Sequence, residues 1–375
     1  MDFMTIKRRM MQFTWSPYPA TSGAGTGRFV ARFVECIQRV RSVVNRQAGN
    51  EGQPVPVGEW MGGRAPSTMP AKESIPVEVN TAANRSMTSA LLESLRPGQW
   101  AKNGFVFAPL IFSLNLRDFH RTMLVTLAAV VFSAISSATY LFNDFVDADE
   151  DRRHPTKCLR PVASGRISGR TAATVAAVLA AAALSGAWAI EPGLFKVVAL
   201  YAAMNLCYSL WLKHVTLVEV FLVAAGFVLR VIVGGVVIHV ELSTWLVVCT
   251  TFLALFLVLS KRRHEMVLLG DDASNHRSTL ASYSPYFLDQ LIGLVSACTV
   301  MSYSLYTLSA DVRIKFPGKR LELTIPFVLF GIFRYLYSVH RRNGGGSPTR
   351  TLLTDPVLLL VVLLWAASVI LIIYS

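Results

Sequence analysis

Apolar residues in this chain are gathered into long runs rather than scattered at core spacing, and the runs recur at the length an apolar helix needs to cross a bilayer. Roughly nine spans follow by that criterion, at 103–116, 121–146, 171–190, 194–212, 216–239, 243–260, 286–309, 322–339 and 355–374, the first of them short. The pattern predicts an all-α membrane protein. Upstream of residue 86 the pattern changes: Gly, Pro, Ser, Thr and Asn become frequent, and one periodic piece stands out, "RFVARFVECIQRVRSVV". There Phe29, Phe33, Ile37, Val40 and Val44 share one face, with Arg32, Arg39 and Arg41 off it. The reading is either a basic helix near 28–44 lying on an anionic membrane surface or a poorly ordered extension. Two regions are therefore expected, an extension over 1–86 and a transmembrane domain over 87–375, with Met87 available as an alternative start. No basic, apolar and small-residue segments succeed one another as a signal peptide would require.

Composition agrees with the pattern, at 53% hydrophobic and 16% charged residues. The net charge of +13 could suggest nucleic acid, but Lys and Arg sit in the N-terminal tail and in short loops, as topology signals do. With a cytosolic N-terminus, "DRRHPTKCLRP", "LKH", "KRRHE" and "HRRNGGGSPTR" fall on the cytosolic side, and the poorer "NLRDFHR", "IEPGLFK" and "HVELS" fall opposite. "DVRIKFPGKRLE" is a basic exception on the second side. The five cysteines form no CxxC pair and mostly lie within apolar runs, so neither a disulfide framework nor a zinc site is expected.

The charge that matters most is concentrated in "YLFNDFVDADEDRRHPTKCLRP". Nothing between Arg121 and Asp151 reads as a helix breaker, so one helix of about 45 Å is expected to carry an acidic end past the hydrocarbon edge. Asn143, Asp147 and Asp151 are spaced i, i+4, i+8, with Asp144 and Tyr140 beside them. Carboxylates so close repel unless a cation neutralises them, and the hard cation that bridges a protein carboxylate to substrate phosphates is Mg²⁺. A diphosphate substrate is the natural inference. Pro155 then stops the helix, and His154, Lys157 and Arg160 follow as donors for phosphate oxygens. The bland alternative is a solvated acidic end paired with neighbouring Arg for topology alone.

A second cluster closes the sixth span in "SKRRHEMVLLGDDASNHRSTLASY", where Lys261, Arg262 and Glu265 share a helical face and read as substrate contacts, while Arg263 and His264 read as solvated charge. Arg230 lies deep in "GFVLRVIVGG", where a guanidinium faces a polar cavity or an anion, or else is held by carbonyls or by Glu219. Gly226, Gly234 and Gly235 suit close helix packing. "LRPGQWAKN" offers Trp100 as an interfacial anchor and Lys102 as a cation.

Taken together, "NDFVDADED", "LRPGQWAKN", "LRPVASGRIS" and "YSLWLKH" resemble the UbiA superfamily of intramembrane transferases over roughly residues 90–375. That resemblance implies a helical bundle around a cavity open to cytosol and lipid. "HPTKCLRP" and "KRRHE" are similar to the HPxKxxRP and KRxxE of the decaprenyl-phosphate phosphoribosyltransferase branch, where aromatic prenyltransferases carry a second Asp-rich motif; Asp271 and Asp272 are not in that motif's spacing. Glu219 stands where the family leads one to expect Asp.

What the resemblance implies is Mg²⁺-dependent transfer of 5-phosphoribosyl from phosphoribosyl diphosphate (PRPP) to a polyprenyl phosphate such as decaprenyl phosphate, toward a lipid-linked arabinose donor for cell-envelope glycan. The setting would be a bacterial plasma membrane, with the active site facing the cytosol. Asn143, Asp144, Asp147 and Asp151 would hold the metal, and Asp144, Asp147, Lys157 and Arg160 would be catalytic. Lys102, Tyr140, Lys157 and Arg160 would grip the diphosphate and ribose, and Tyr208, Lys213, Arg230, Lys261, Arg262 and Glu265 complete the substrate set. Homo-oligomerisation is left open. The competing readings are an aromatic prenyltransferase of the same superfamily and, from another class, an ion-coupled transporter.

Overall fold

A computed structural model describes residues 86–154, 156–269, 278–341 and 346–375, all within the unit Glu78–Ser375. The expected basic helix near 28–44, the rest of the extension, Pro155 and the Asp271–Asp272 pair lie outside the described residues. Among those residues the structure is helical throughout, without strands. The helices are α1 (Met87–Leu95), α2 (Ala108–Phe112), α3 (Phe119–Val146), α4 (Ala148–Arg153), α5 (Gly169–Ile190), α6 (Pro192–Leu210), α7 (Val218–Val237), α8 (Thr244–Leu269), α9 (Pro285–Leu308), α10 (Ala310–Lys315), α11 (Ile325–Arg341), α12 (Pro348–Thr354) and α13 (Pro356–Tyr374).

Several of the long helices start where a polar side chain can take over the orphan N–H groups of the first turn. Asp118 accepts from Arg121 N, Ser168 from Thr171 N, and Ser284 from Phe287 N. Asp355 accepts from both Val357 and Leu358, and Pro356 occupies the first helical position, where its missing N–H costs nothing. Arg334 completes the same carboxylate with bonds of 3.0–3.2 Å. These contacts fix where the last helix enters the bundle.

Among the described residues eight helices are long and apolar enough to cross a membrane, and the first of the nine expected spans is not one of them. In its place 3₁₀ turns run from Pro97 to Phe107 into the five-residue α2, and the chain reverses at Leu114 with φ 64°. Pro97, Gly98, Gly104 and Pro109 explain the difference, since none favours a helix interior. This broken segment is nevertheless deeply packed: Val106 and Leu110 are fully buried, beside Val125, Phe132 and Val233. Gly234 permits it, because a Cβ there would fall on the Val106 carbonyl. Close packing was the expected role of Gly234.

A second correction concerns α3. The expected unbroken helix from Arg121 to Asp151 is interrupted at Asp147, which takes φ −90° and ψ 4° between α3 and α4. The backbone bonds Asp147 N to Asn143 O and Asp151 N to Asp147 O persist, so the chain bends without unwinding. The bend redirects the carboxylates that follow.

Candidate functional site

The acidic end of α3 is not one converging cage. Asn143 and Asp147 form one group: Asn143 Nδ2 donates to Asp147 at 2.9 Å, Ser209 Oγ of α6 donates to Asn143 Oδ1 at 3.0 Å, and Lys213 closes on Asp147. Asp144 and Asp151 form the other. Arg160 bridges them at 3.0 and 2.6 Å, and Arg96 also pairs with Asp144. Both carboxylates are almost entirely buried, at 1% and 3% exposure. Burial raises the Asp151 carboxyl above its usual range, against the lowering pull of Arg160 and Lys157.

The loop after α4 is held over this end by its own polar contacts. Arg166 takes Glu93 of α1 in a fork at 2.8 and 3.1 Å and reaches the Leu159 carbonyl at 2.7 Å, while Arg152 reaches Ala163 O at 3.2 Å. His154, expected as a phosphate donor, accepts the backbone N–H groups of Thr156 and Lys157 at Nδ1, at 3.2 and 3.4 Å. It shapes the loop that presents Lys157 and Arg160.

The second cluster differs more from expectation. Arg262 is 3% exposed and is clamped by the fully buried Glu219 through bonds of 2.7, 2.8 and 3.1 Å, with Glu265 on its remaining side. Lys261, 3.7 Å from Glu265, has a 44% exposed side chain and is the member of the triad that reaches outward. Arg263 pairs with Asp289 of α9, so it joins helices rather than standing in solvent.

Arg230 is likewise held by protein. It donates to Asn103 Oδ1 at 2.8 Å, Gly226 O at 2.6 Å and the Tyr201 hydroxyl at 3.3 Å, and its guanidinium lies 5.0–5.3 Å from the Phe132, Tyr201 and Phe227 ring centres. A carbonyl does hold it, as one of the alternatives supposed. Glu219 does not, being committed to Arg262.

The two clusters nonetheless belong to one region. Arg96 stacks on Tyr140 at 5.2 Å while gripping Asp144. Lys102, outside the spans, has its ammonium pKa pushed down to about 7, first by removal from water and then by the nearby charges of Lys261, Arg230 and Arg96. Tyr208 lies within electrostatic reach of Arg262, and its neighbour Ser209 bonds Asn143. Acidic and basic clusters thus face each other across the ends of α3, α6 and α8 and the start of α7.

The donor set suits a hard divalent cation. Asn143, Asp144, Asp147 and Asp151 offer only oxygens, and among the described residues no three His, Cys, Asp or Glu side chains form a ready-made cage. A cation that keeps waters and shares its coordination with substrate phosphates needs only one or two protein carboxylates at a time. Arg160 and Lys213 stand beside these carboxylates as cations of the same site. Sequence reasoning did not assign Arg96, Ser209, Asn103 or Tyr201, and did not see Glu219 as the partner of Arg262. All five act across 29 or more positions of sequence. The advance signals were "LRPGQWAKN", which holds Arg96 and Asn103, and "YSLWLKH", which holds Ser209.

The model of the UbiA prenyltransferase family matches residues 104–352. The decaprenyl-phosphate phosphoribosyltransferase of Mycobacterium tuberculosis is 36% identical over 299 residues, covering 78% of this chain and 97% of that protein. The protein of the same name from Corynebacterium glutamicum is 32% identical, covering 77% and 88%. Among solved structures, a UbiA homolog from Archaeoglobus fulgidus bound to GPP and Mg²⁺ aligns with a TM-score of 0.57 over 76% of this chain and 100% of its own, at 18% identity. That last likeness concerns the fold.

Proposed function

We propose that this chain, which belongs to the UbiA prenyltransferase family, transfers 5-phosphoribosyl from PRPP to a polyprenyl phosphate such as decaprenyl phosphate and releases pyrophosphate. The observation that carries the reading is the pairing of an oxygen-only acidic group, Asn143, Asp144, Asp147 and Asp151, with Arg160 and Lys213 at one helix end, opposite a second cluster that is basic on its outward face. An enzyme that used a second metal on a prenyl diphosphate would need free carboxylates at the end of α8. There Glu265 and Glu219 instead neutralise Arg262. The named relatives support the same branch.

The reaction joins an acceptor phosphate oxygen to ribose C1 while the C1–diphosphate bond breaks, and its transition state has oxocarbenium character. Charge therefore builds on the leaving diphosphate, and the main catalytic demand is to stabilise it. Asn143 and Asp147 would hold Mg²⁺, with Asp144 and Asp151 as direct or water-mediated ligands, and the ion would supply that neutralisation. Lys157 and Arg160 grip the diphosphate from the folded loop, and Lys102 and Tyr140 face the ribose side. Lys213 and Lys261 serve the 5-phosphate or the lipid phosphate. Arg262, Glu265 and Arg230 hold that face in shape, with Tyr208 beside Arg262. The acceptor is already an anion at neutral pH and needs positioning rather than a general base. The product would feed a lipid-linked arabinose donor, made on the cytosolic side of the bacterial plasma membrane.

The test is to incubate the purified chain in detergent with labelled PRPP, Mg²⁺ and decaprenyl phosphate. Label extractable into organic solvent, with one pyrophosphate released per label transferred, is the expected result. Label transfer only from a prenyl diphosphate to an aromatic acceptor would replace this reading with the aromatic prenyltransferase. Ion flux in liposomes without any bond transfer would replace it with the transporter.

A further inference from the structure

A cavity of about 710 Å³ opens at the end of the bundle away from the candidate site. Its walls come from the end of α2, the α7–α8 connection, the start of α8 and the α9–α10 junction, and they include Phe112, Glu241, Trp245, Tyr306, Asp311 and Lys315. The separation follows from α8 alone: Trp245 and Arg262 are seventeen residues apart on one helix, roughly 26 Å at 1.5 Å per residue. This cavity cannot be a lobe of the catalytic region.

Three observations describe what it would hold. Tyr306 is only 8% exposed, with its ring packed on Phe112 and Tyr303, yet its hydroxyl makes no hydrogen bond with a described residue. Nor is that hydroxyl sealed in, since the buried unpartnered oxygens are those of Ser136 and Tyr335. The cavity is therefore where it can find a partner, in contrast to the neighbouring Tyr303, whose hydroxyl is taken by Thr324 and Trp365. Second, Glu241, Asp311 and Lys315 line the same space without an ion pair or hydrogen bond to any described side chain. Third, exposed apolar side chains adjoin the lining residues in sequence: Ile314, 79% exposed, precedes Lys315, and Leu308, at the end of α9 two residues after Tyr306, is 47% exposed. A cavity that sets a few charged groups among mostly apolar walls at a span terminus suits an amphiphile.

We propose that this cavity binds the headgroup of an amine-bearing zwitterionic phospholipid of the leaflet opposite the candidate site. Lys315 and the Tyr306 hydroxyl take the phosphate, Asp311 and Glu241 take the ammonium, and one acyl chain leaves across Ile314 and Leu308. Two carboxylates against one ammonium disfavour an anionic headgroup, which would bring further negative charge to a site already net negative. A choline headgroup satisfies the charge but has no N–H to donate to the carboxylates. A seated lipid would tie α2, α8 and α10 together at an end where short connections, not long helices, do the joining.

The experiment is native mass spectrometry of the purified chain, exchanged into non-ionic detergent and titrated with phosphatidylethanolamine, phosphatidylcholine and phosphatidylglycerol of identical acyl chains. Retention of phosphatidylethanolamine at least about threefold above the other two is expected, the scale of two partly exposed ion pairs. The Glu241→Gln/Asp311→Asn double variant should lose that preference over phosphatidylglycerol, and Tyr306→Phe should weaken retention of all three lipids. Equal retention of the three by the parent, or an unchanged preference in the double variant, overturns the proposal. Circular dichroism of each variant serves as the folding control, and the residues changed are exposed except Tyr306, whose ring is preserved.

Discussion

Replacing Glu219 by Gln tests whether Arg262 is a buried strut. Glu219 is fully buried and Arg262 is 3% exposed, and three bonds of 2.7–3.1 Å join them. A carboxamide keeps the shape but offers one acceptor oxygen and turns an NH₂ toward a guanidinium that has no acceptor. With its amide oxygen in the Oε2 position Gln keeps the 2.7 and 3.1 Å bonds, loses the 2.8 Å bond and takes the anion away from all three, so the cost should fall near 3–5 kcal/mol, the range for leaving one member of a buried pair uncompensated. Glu265, still beside Arg262, places the expectation at the lower end. Removing both charges in Glu219→Leu/Arg262→Met should recover part of the loss, because the buried pair leaves together and only the partly exposed Glu265, still 3.7 Å from Lys261, gives up a partner. The assay is a double-mutant cycle on unfolding in matched detergent, with helical signal as the readout. A coupling energy of about 2–4 kcal/mol is expected. A coupling below about 0.5 kcal/mol would refute the strut, since additive losses mean the two side chains do not depend on one another.

The remaining expectations concern the candidate site and the extension. Asp147→Asn should abolish transfer while the protein stays in the membrane; turnover unchanged at limiting Mg²⁺ would remove Asp147 from the metal set. Lys157→Ala should raise the KM for PRPP more than that for the lipid, because a phosphate contact is lost, and equal losses would count against the assignment. Lys102, with its pKa pushed down to about 7, should be mostly neutral in the free protein at pH 8. An anionic substrate favours its charged form, so PRPP binding should take up about 0.9 proton at pH 8 and close to none well below pH 7. Calorimetry in buffers of different ionisation enthalpy reads this directly, and uptake that persists in Lys102→Met would place the titrating group elsewhere. A chain starting at Met87 should insert and turn over at close to the full-length rate; normal insertion without activity would assign the extension a part in the site.

The membrane architecture was legible because it depends on composition over windows as long as a span. The eight spans that formed begin and end within a few residues of their expected positions, apart from the longer end of α8, and the capping residues Asp118, Ser168, Ser284 and Asp355 are local signals too. The span that failed did so for a local reason that hydropathy averages away. Gly104 and Pro109 interrupt an apolar run, entered through Pro97 and Gly98, whose burial comes from α3 and α7 rather than from lipid. The break at Asp147 is of the same kind, a single residue in an unusual conformation inside a helical pattern.

The candidate site was legible in its residue types and not in its pairing. Helical periodicity placed Asn143, Asp144, Asp147 and Asp151 near one another, but which cation meets each carboxylate depends on chain segments 9 to 66 residues away. Depth alone also proved a poor guide to role among the arginines. Arg230 and Arg262 are both almost fully buried, and each has its donors taken up by protein, whereas Arg160, with its side chain 28% exposed, bridges two carboxylates at the mouth of the site. A buried guanidinium whose donors are satisfied has little left to offer a substrate, while one shared between acids at a partly exposed end can exchange them for phosphate when a divalent cation takes over the carboxylates. The useful question for each charged residue in such a bundle is therefore which partner it can release, and exposure ranks Lys261, at 44%, ahead of Arg160, at 28%, and both ahead of Arg262, at 3%.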